Sequence, residues 1–180
     1  MASSVGSRPL VLVRSFLYFV VWVFSLVIFA VIAAKLYRSV VGIKICYLNN
    51  PLTSTSFCQW GIAAGVIGFV AYLLLDIAVL VSLFASSLAN GLKYVELIMN
   101  AFFIAWYIAF AVVMSVGVSR FKSLGPFPGK PSISYANTPA ALSWISFVFI
   151  IVAEILVAID FGKPVSMEDD TEPQTESASA

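Results

Sequence analysis

The sequence predicts an all-α membrane protein: a four-helix antiparallel transmembrane bundle with a disulfide-bridged first luminal loop. Three observations carry that expectation. Hydrophobic residues make up 61% of the 180-residue chain and mean hydropathy is +1.01, more apolar surface than a soluble domain of this size can hide. Four apolar runs, each near the ~20 residues needed to cross a ~30 Å hydrocarbon core, are separated by short polar stretches. The only two cysteines, Cys46 and Cys58, flank a polar Asn-Pro-Thr-Ser segment just ahead of the second run.

Residues 1–14 are expected to form a short polar N-terminus, and span one covers about 15–34 behind Arg8 and Arg14. Ala30, Ala33 and Ala34 also fit a cleavage site. The apolar run exceeds the ~7–15 residues of a signal-peptide core, however, so it reads as an anchor. Loop one, about 35–59, carries Lys35, Arg38 and Lys44 before the cysteines. Span two covers about 60–84, interrupted only by Asp76. Ser86, Ser87, Asn90, Gly91 and Lys93 predict a short turn, which makes spans two and three antiparallel neighbours. Span three covers about 97–118. Loop three, 120–139, contains Pro126, Pro128, Pro131, Pro139, Gly125 and Gly129, a composition that predicts neither helix nor central strand. Span four covers about 140–159, and residues 162–180 form an acidic tail with too little apolar side chain to fold.

Composition also narrows function. The chain has no histidine, which removes Ser-His-Asp and Cys-His catalysis and the common zinc sites. A net charge of +1 with no basic, aromatic-laced patch gives no reason to expect nucleic acid. No nucleophile–base pair or phosphate-binding glycine loop can be assembled, so neither enzymatic activity nor a cofactor is expected.

What remains is packing and intramembrane polarity. Gly61, Gly65 and Gly68 give span two a face with few side-chain atoms, and Ala105 and Ala109 offer another on span three. These faces serve packing within one chain or, alternatively, a homo-oligomer seam. Asp76 and Glu154 are the acidic residues well inside spans, ~24 Å and ~21 Å along helices that start at Trp60 and Ala140. Asn100 falls near the same layer, and Arg14 can reach towards it. Such a cluster is either a proton or cation relay or a set of polar groups that fixes helix rotation. Its depth, near one interface, and the lack of broken helices or repeats favour the second. Ser166, followed by Met167, Glu168 and Asp169, fits an acid-directed phosphorylation site.

Cys46, Asn49, Asn50, Pro51, Cys58, Gly61, Ala63 and Gly65 form the pattern Cys, Asn-rich loop, Cys, then x-aromatic-Gly-x-Ala-x-Gly opening a span. This resembles the synaptogyrin branch of the vesicle four-span proteins, which share the MARVEL architecture with synaptophysins. The likeness continues less sharply through Leu75-Asp76, Ala101-Phe102-Phe103 to Trp106, and 140–161, and covers roughly residues 10–162. The resemblance implies cytosolic termini and a secretory or endosomal vesicle membrane. It further implies a role in vesicle biogenesis, trafficking or regulated exocytosis through lateral contacts with other membrane proteins, such as vesicle SNAREs or the vacuolar proton pump. The alternatives are a small channel or transporter subunit using Asp76 and Glu154, and a cell-contact four-span protein.

Two signals disagree on orientation. With cytosolic termini, the inside carries Arg8, Arg14, Lys93 and Lys163, and the outside carries Lys35, Arg38, Lys44, Arg120, Lys122 and Lys130. The positive-inside rule leans against that arrangement. The cysteine pair favours it, because a bridge in loop one needs an oxidising side. Free or acylated thiols are expected if loop one is cytosolic.

Overall fold

The computed structural model describes residues 8–40, 42–49, 54–82, 86–126 and 129–161. Four long helices dominate it: α1 (Arg8–Val31), α2 (Ser56–Ser82), α3 (Ser86–Ser123) and α4 (Ile133–Phe161). All four are long and apolar enough to cross a membrane, over Pro9–Leu36, Ser56–Ser82, Gly91–Ser123 and Ile133–Phe161. The widened turn Ile32–Leu36 extends α1 and feeds a small hairpin, β1 (Tyr37–Val40) and β2 (Ile43–Cys46). Gly42, with φ of 79°, gives the hairpin turn the left-handed residue that such tight connections require. Tyr37 pairs with Cys46 and Arg38 with Ile45, and the Tyr47 amide donates to the Leu36 carbonyl at 3.1 Å. Loop one is therefore folded back on the end of α1, a hairpin that the sequence pattern did not foretell.

Three boundaries differ from expectation. The stretch from Ser86 to Lys93 is the first part of α3 and not a turn. Loop three is shorter than its prolines suggested, since α3 runs to Ser123 and α4 starts at Ile133 with Pro139 inside it. A proline in the second helical turn removes one backbone bond, the one to the Tyr135 carbonyl, and hydroxyls on either side of it add bonds to the helix backbone. Thr138 Oγ1 donates to the Ser134 carbonyl at 2.8 Å, and Ser143 Oγ donates to that of Pro139 at 2.6 Å. Gly125, Pro126 and Pro131 do lie in the connection, where Gly129 adopts φ of 85°.

The buried side chains form two clusters stacked along the helices. One joins Ile28, Ile32 and Leu36 to Cys58, Phe110, Met114, Phe121 and Ala140. The other joins Tyr18 and Val21 to Tyr72, Leu75, Val79, Phe103, Tyr107 and Ile150. Outward-facing positions are apolar: Ile98 is 68% exposed, Phe16 65% and Leu74 61%. Polar atoms turned inward and large apolar side chains turned outward invert the soluble pattern and match a lipid surround. The helix α1, which carries buried Tyr18, Val21, Ser25 and Ile28, is a full component of this core.

Candidate functional site

At one end of the molecule the chain is stapled. Cys46, the last residue of β2, and Cys58, in the first turn of α2, form a disulfide with Cα atoms 5.8 Å apart. Asn49 completes the corner: its Nδ2 donates to the Ser54 carbonyl at 3.2 Å and to Ser56 Oγ at 3.3 Å. Its Oδ1 accepts from Arg120 of α3 at 2.9 Å. The Arg120 guanidinium sits 4.5 Å from the Phe57 ring, Lys130 Nζ 4.7 Å from Phe121, and Lys35 Nζ 5.3 Å from Tyr135. Each is a cation held over an aromatic face, a contact worth ~0.5–2 kcal/mol. Asn50 and Pro51 of the motif lie outside the described residues.

The small face of α2 is consumed within the chain. A Cβ on Gly61 would stand 2.7 Å from Ile32 Cδ1, and one on Gly65 would stand 2.8 Å from Phe29 Cβ. One on Gly68 would stand 2.5 Å from Tyr107 Oη and 3.0 Å from Ser25 Oγ. Gly68 thus leaves room for the buried Ser25–Tyr107 hydrogen bond of 2.6 Å. Ala105 and Ala109 differ. Both are exposed, because the buried face of α3 runs through Asn100, Phe103, Tyr107, Ala111, Met114 and Val118. Of the two readings of these alanines, packing within one chain is not what the structure shows: they lie on the outer face.

At the opposite end is a buried ionic cluster that the sequence reading missed. Arg14 of α1 reaches Glu96 of α3 at 3.3 Å and Asp160 of α4 at 3.5 Å, and Lys93 Nζ is 2.8 Å from the same Asp160 oxygen. Arg14 and Glu96 are 2% exposed, so these charges are shielded by protein and by one another. Tyr18 Oη donates to Glu96 Oε1 at 2.7 Å and accepts from Asn100 Nδ2 at 2.6 Å. A continuous polar chain therefore runs from Lys93 through Asp160, Arg14, Glu96 and Tyr18 to Asn100, tying α1, α3 and α4. A signal did exist: Arg14, Lys93, Glu96 and Asp160 all stand within about a turn of the expected span ends at 15, 97 and 159, which share one side in a four-span chain.

Asp76 and Glu154, the expected pair, are held separately. Ser15 Oγ donates to Asp76 Oδ1 at 2.5 Å, which binds α2 to α1. The Glu154 side chain meets that of Asn100. Glu154 Oε2, Asn100 Oδ1 and the Tyr72 hydroxyl are buried with no hydrogen-bond partner in the protein. Arg14 goes to Glu96 and Asp160 and to neither member of the expected pair. Among the described residues no group of three or more Cys, Asp and Glu is gathered in a way that can hold a metal ion. Ser166 and the acidic tail lie outside the described residues.

No family model, curated protein or solved structure matches the chain. The likeness to synaptogyrins therefore rests on the residues named for it in the sequence, sharpest at the cysteine corner. The structure establishes four helices long and apolar enough to span a membrane, stapled at one corner by a disulfide, as in a multi-pass membrane protein.

Proposed function

We propose that the chain is a non-enzymatic, multi-pass membrane protein whose helices form an antiparallel transmembrane bundle with cytosolic termini. In this reading it serves vesicle trafficking, biogenesis or regulated exocytosis through lateral contacts with other membrane proteins. One observation carries the proposal: the buried charged side chains Arg14, Glu96 and Asp160 are paired with one another between helices, while the outer surface is left apolar. A protein built so can present a rigid, lipid-immersed face to neighbours. The vesicle location follows from the resemblance at Cys46–Cys58, Asn49 and Gly61, and the disulfide itself favours a luminal corner.

Transport is the second reading, favoured by the polar chain that reaches Asn100 and Glu154. Against it, the cluster around Ile28, Ile32, Phe110 and Met114 stands between that chain and the disulfide end. An Asp76→Asn/Glu154→Gln variant with unaltered vesicle conductance and sorting would eliminate it.

The test of the main reading is thiol labelling in sealed vesicles with a membrane-impermeant maleimide, alongside surface biotinylation of intact cells. Labelling of Cys46 and Cys58 only after detergent and reduction, with little protein at the cell surface, is the expected result. Labelling without either treatment inverts the topology. A strong steady-state plasma-membrane signal refutes the vesicle location and favours a cell-contact role.

A further inference from the structure

Among the described residues, no ion pair meets the basic side chains of the disulfide end. Lys35, Arg38, Lys44, Arg120, Lys122 and Lys130 all fall in 35–59 and 119–139, the segments at that end, and neither contains an Asp or Glu. At the other end the reverse holds: Arg14 and Lys93 are paired with Glu96 and Asp160. Lys35, Arg120 and Lys130 are held over the rings of Tyr135, Phe57 and Phe121. Arg38, Lys44 and Lys122 are exposed.

Depth identifies what meets these charges. With 27 residues in α2 and 29 in α4, the helices measure ~40 Å, longer than the ~30 Å hydrocarbon core, so their ends reach the headgroup layer. The hairpin adds an apolar tip, with Ile43 58% exposed beside Lys44. An apolar residue next to cations, at interfacial depth, is the pattern that settles among lipid phosphates, with the side-chain stems buried and the charges outward.

We propose that the disulfide end is a binding surface for anionic phospholipid headgroups of the leaflet in which it sits. The lipids are selected by Arg38, Lys44 and Lys122 and backed by the ring-held cations. The inference rests on the membrane-spanning reading above. It assigns this end a ligand whichever side of the membrane it occupies.

The experiment uses the full chain reconstituted in phosphatidylcholine vesicles with trace spin-labelled phosphatidylglycerol or phosphatidylcholine. The motionally restricted fraction reports lipid at the protein surface. Phosphatidylglycerol should be enriched roughly fivefold over phosphatidylcholine, the effect expected of one interfacial cation. The preference should fall at least about twofold in Arg38→Gln/Lys44→Gln/Lys122→Gln and weaken in high salt. These three side chains are exposed, and retention of the Cys46–Cys58 bridge in a thiol assay verifies the variant's fold. Equal restriction of both lipids, or a preference that the triple variant keeps, overturns the assignment and leaves the basic face to an acidic protein. Absence of any restricted component overturns the membrane reading itself, and the two failures are thus told apart.

Discussion

Removing the Arg14 side chain tests whether the buried ionic cluster is what holds α1 to α3 and α4. Arg14→Leu deletes the contacts to Glu96 at 3.3 Å and Asp160 at 3.5 Å, and leaves two carboxylates in a site that is 2% exposed at Arg14. Breaking a buried ion pair by removing one partner costs ~3–5 kcal/mol. Here Lys93 still meets Asp160 at 2.8 Å and Tyr18 still donates to Glu96 at 2.7 Å, which places the loss near the lower bound, about 3 kcal/mol. Glu96→Leu alone leaves Arg14 with Asp160 but takes away the acceptor of Tyr18, for a loss of ~2–3 kcal/mol. The double variant removes both charges, so its loss should fall short of the sum by ~2 kcal/mol or more. Unfolding of the purified chain in mixed micelles, followed by tryptophan fluorescence against SDS fraction, measures all three. A single-variant loss under ~1 kcal/mol, or additivity within ~0.5 kcal/mol, would refute the argument that these charges depend on one another.

Other expectations come from the same contacts. Gly68→Ala forces Tyr107 away from Ser25 and should cost ~2–4 kcal/mol, whereas Gly91→Ala, with nothing within 4 Å, should be neutral or gain up to ~1 kcal/mol; the same SDS titration separates them. Tyr107→Phe loses one buried hydrogen bond, but Ser25 keeps its bond to the Val21 carbonyl at 2.8 Å, so the loss should be about 1 kcal/mol in that titration. Glu154→Gln should stabilise by ~1 kcal/mol, since its amide brings a donor to the side of Asn100, whose Oδ1 has none; loss of stability would refute this. Cys58→Ser opens a bridge with a sequence separation of 12 and should cost ~3 kcal/mol, read as a lower unfolding midpoint that reductant reproduces in the native chain.

How much of this could be read from the amino acids depends on whether the signal was local. The four spans, the cysteine pair and the Gly61/Gly65/Gly68 face are properties of spacing along one segment, and they reappear in the structure. The Ala105/Ala109 face has the same spacing yet points outward, because small residues mark a smooth helix surface without saying which way the helix is turned. That rotation is set by Glu96, Asn100, Phe103 and Tyr107, whose partners lie on α1, α2 and α4. The ionic cluster was hidden for a related reason. Lys93 counted as part of a turn and Asp160 fell just past the last expected span, and only the assembled helix ends bring them to Arg14. Loop three misled through Pro139, whose effect on a helix depends on the side chains around it.

The positions of the disulfide and the ionic cluster along the chain impose an order on biogenesis. The bridge needs only residues up to Cys58, so the first two helices can be stapled while the rest is still being synthesised. Arg14, by contrast, meets Glu96 only once α3 has been made, and Asp160, the second-last residue of α4, only after that. A chain that stops short of α3 thus carries an unneutralised arginine within its first helix, a state that would be costly in lipid. Glu96 relieves it, and Asp160 completes the pairing by which the first helix is tied to the last.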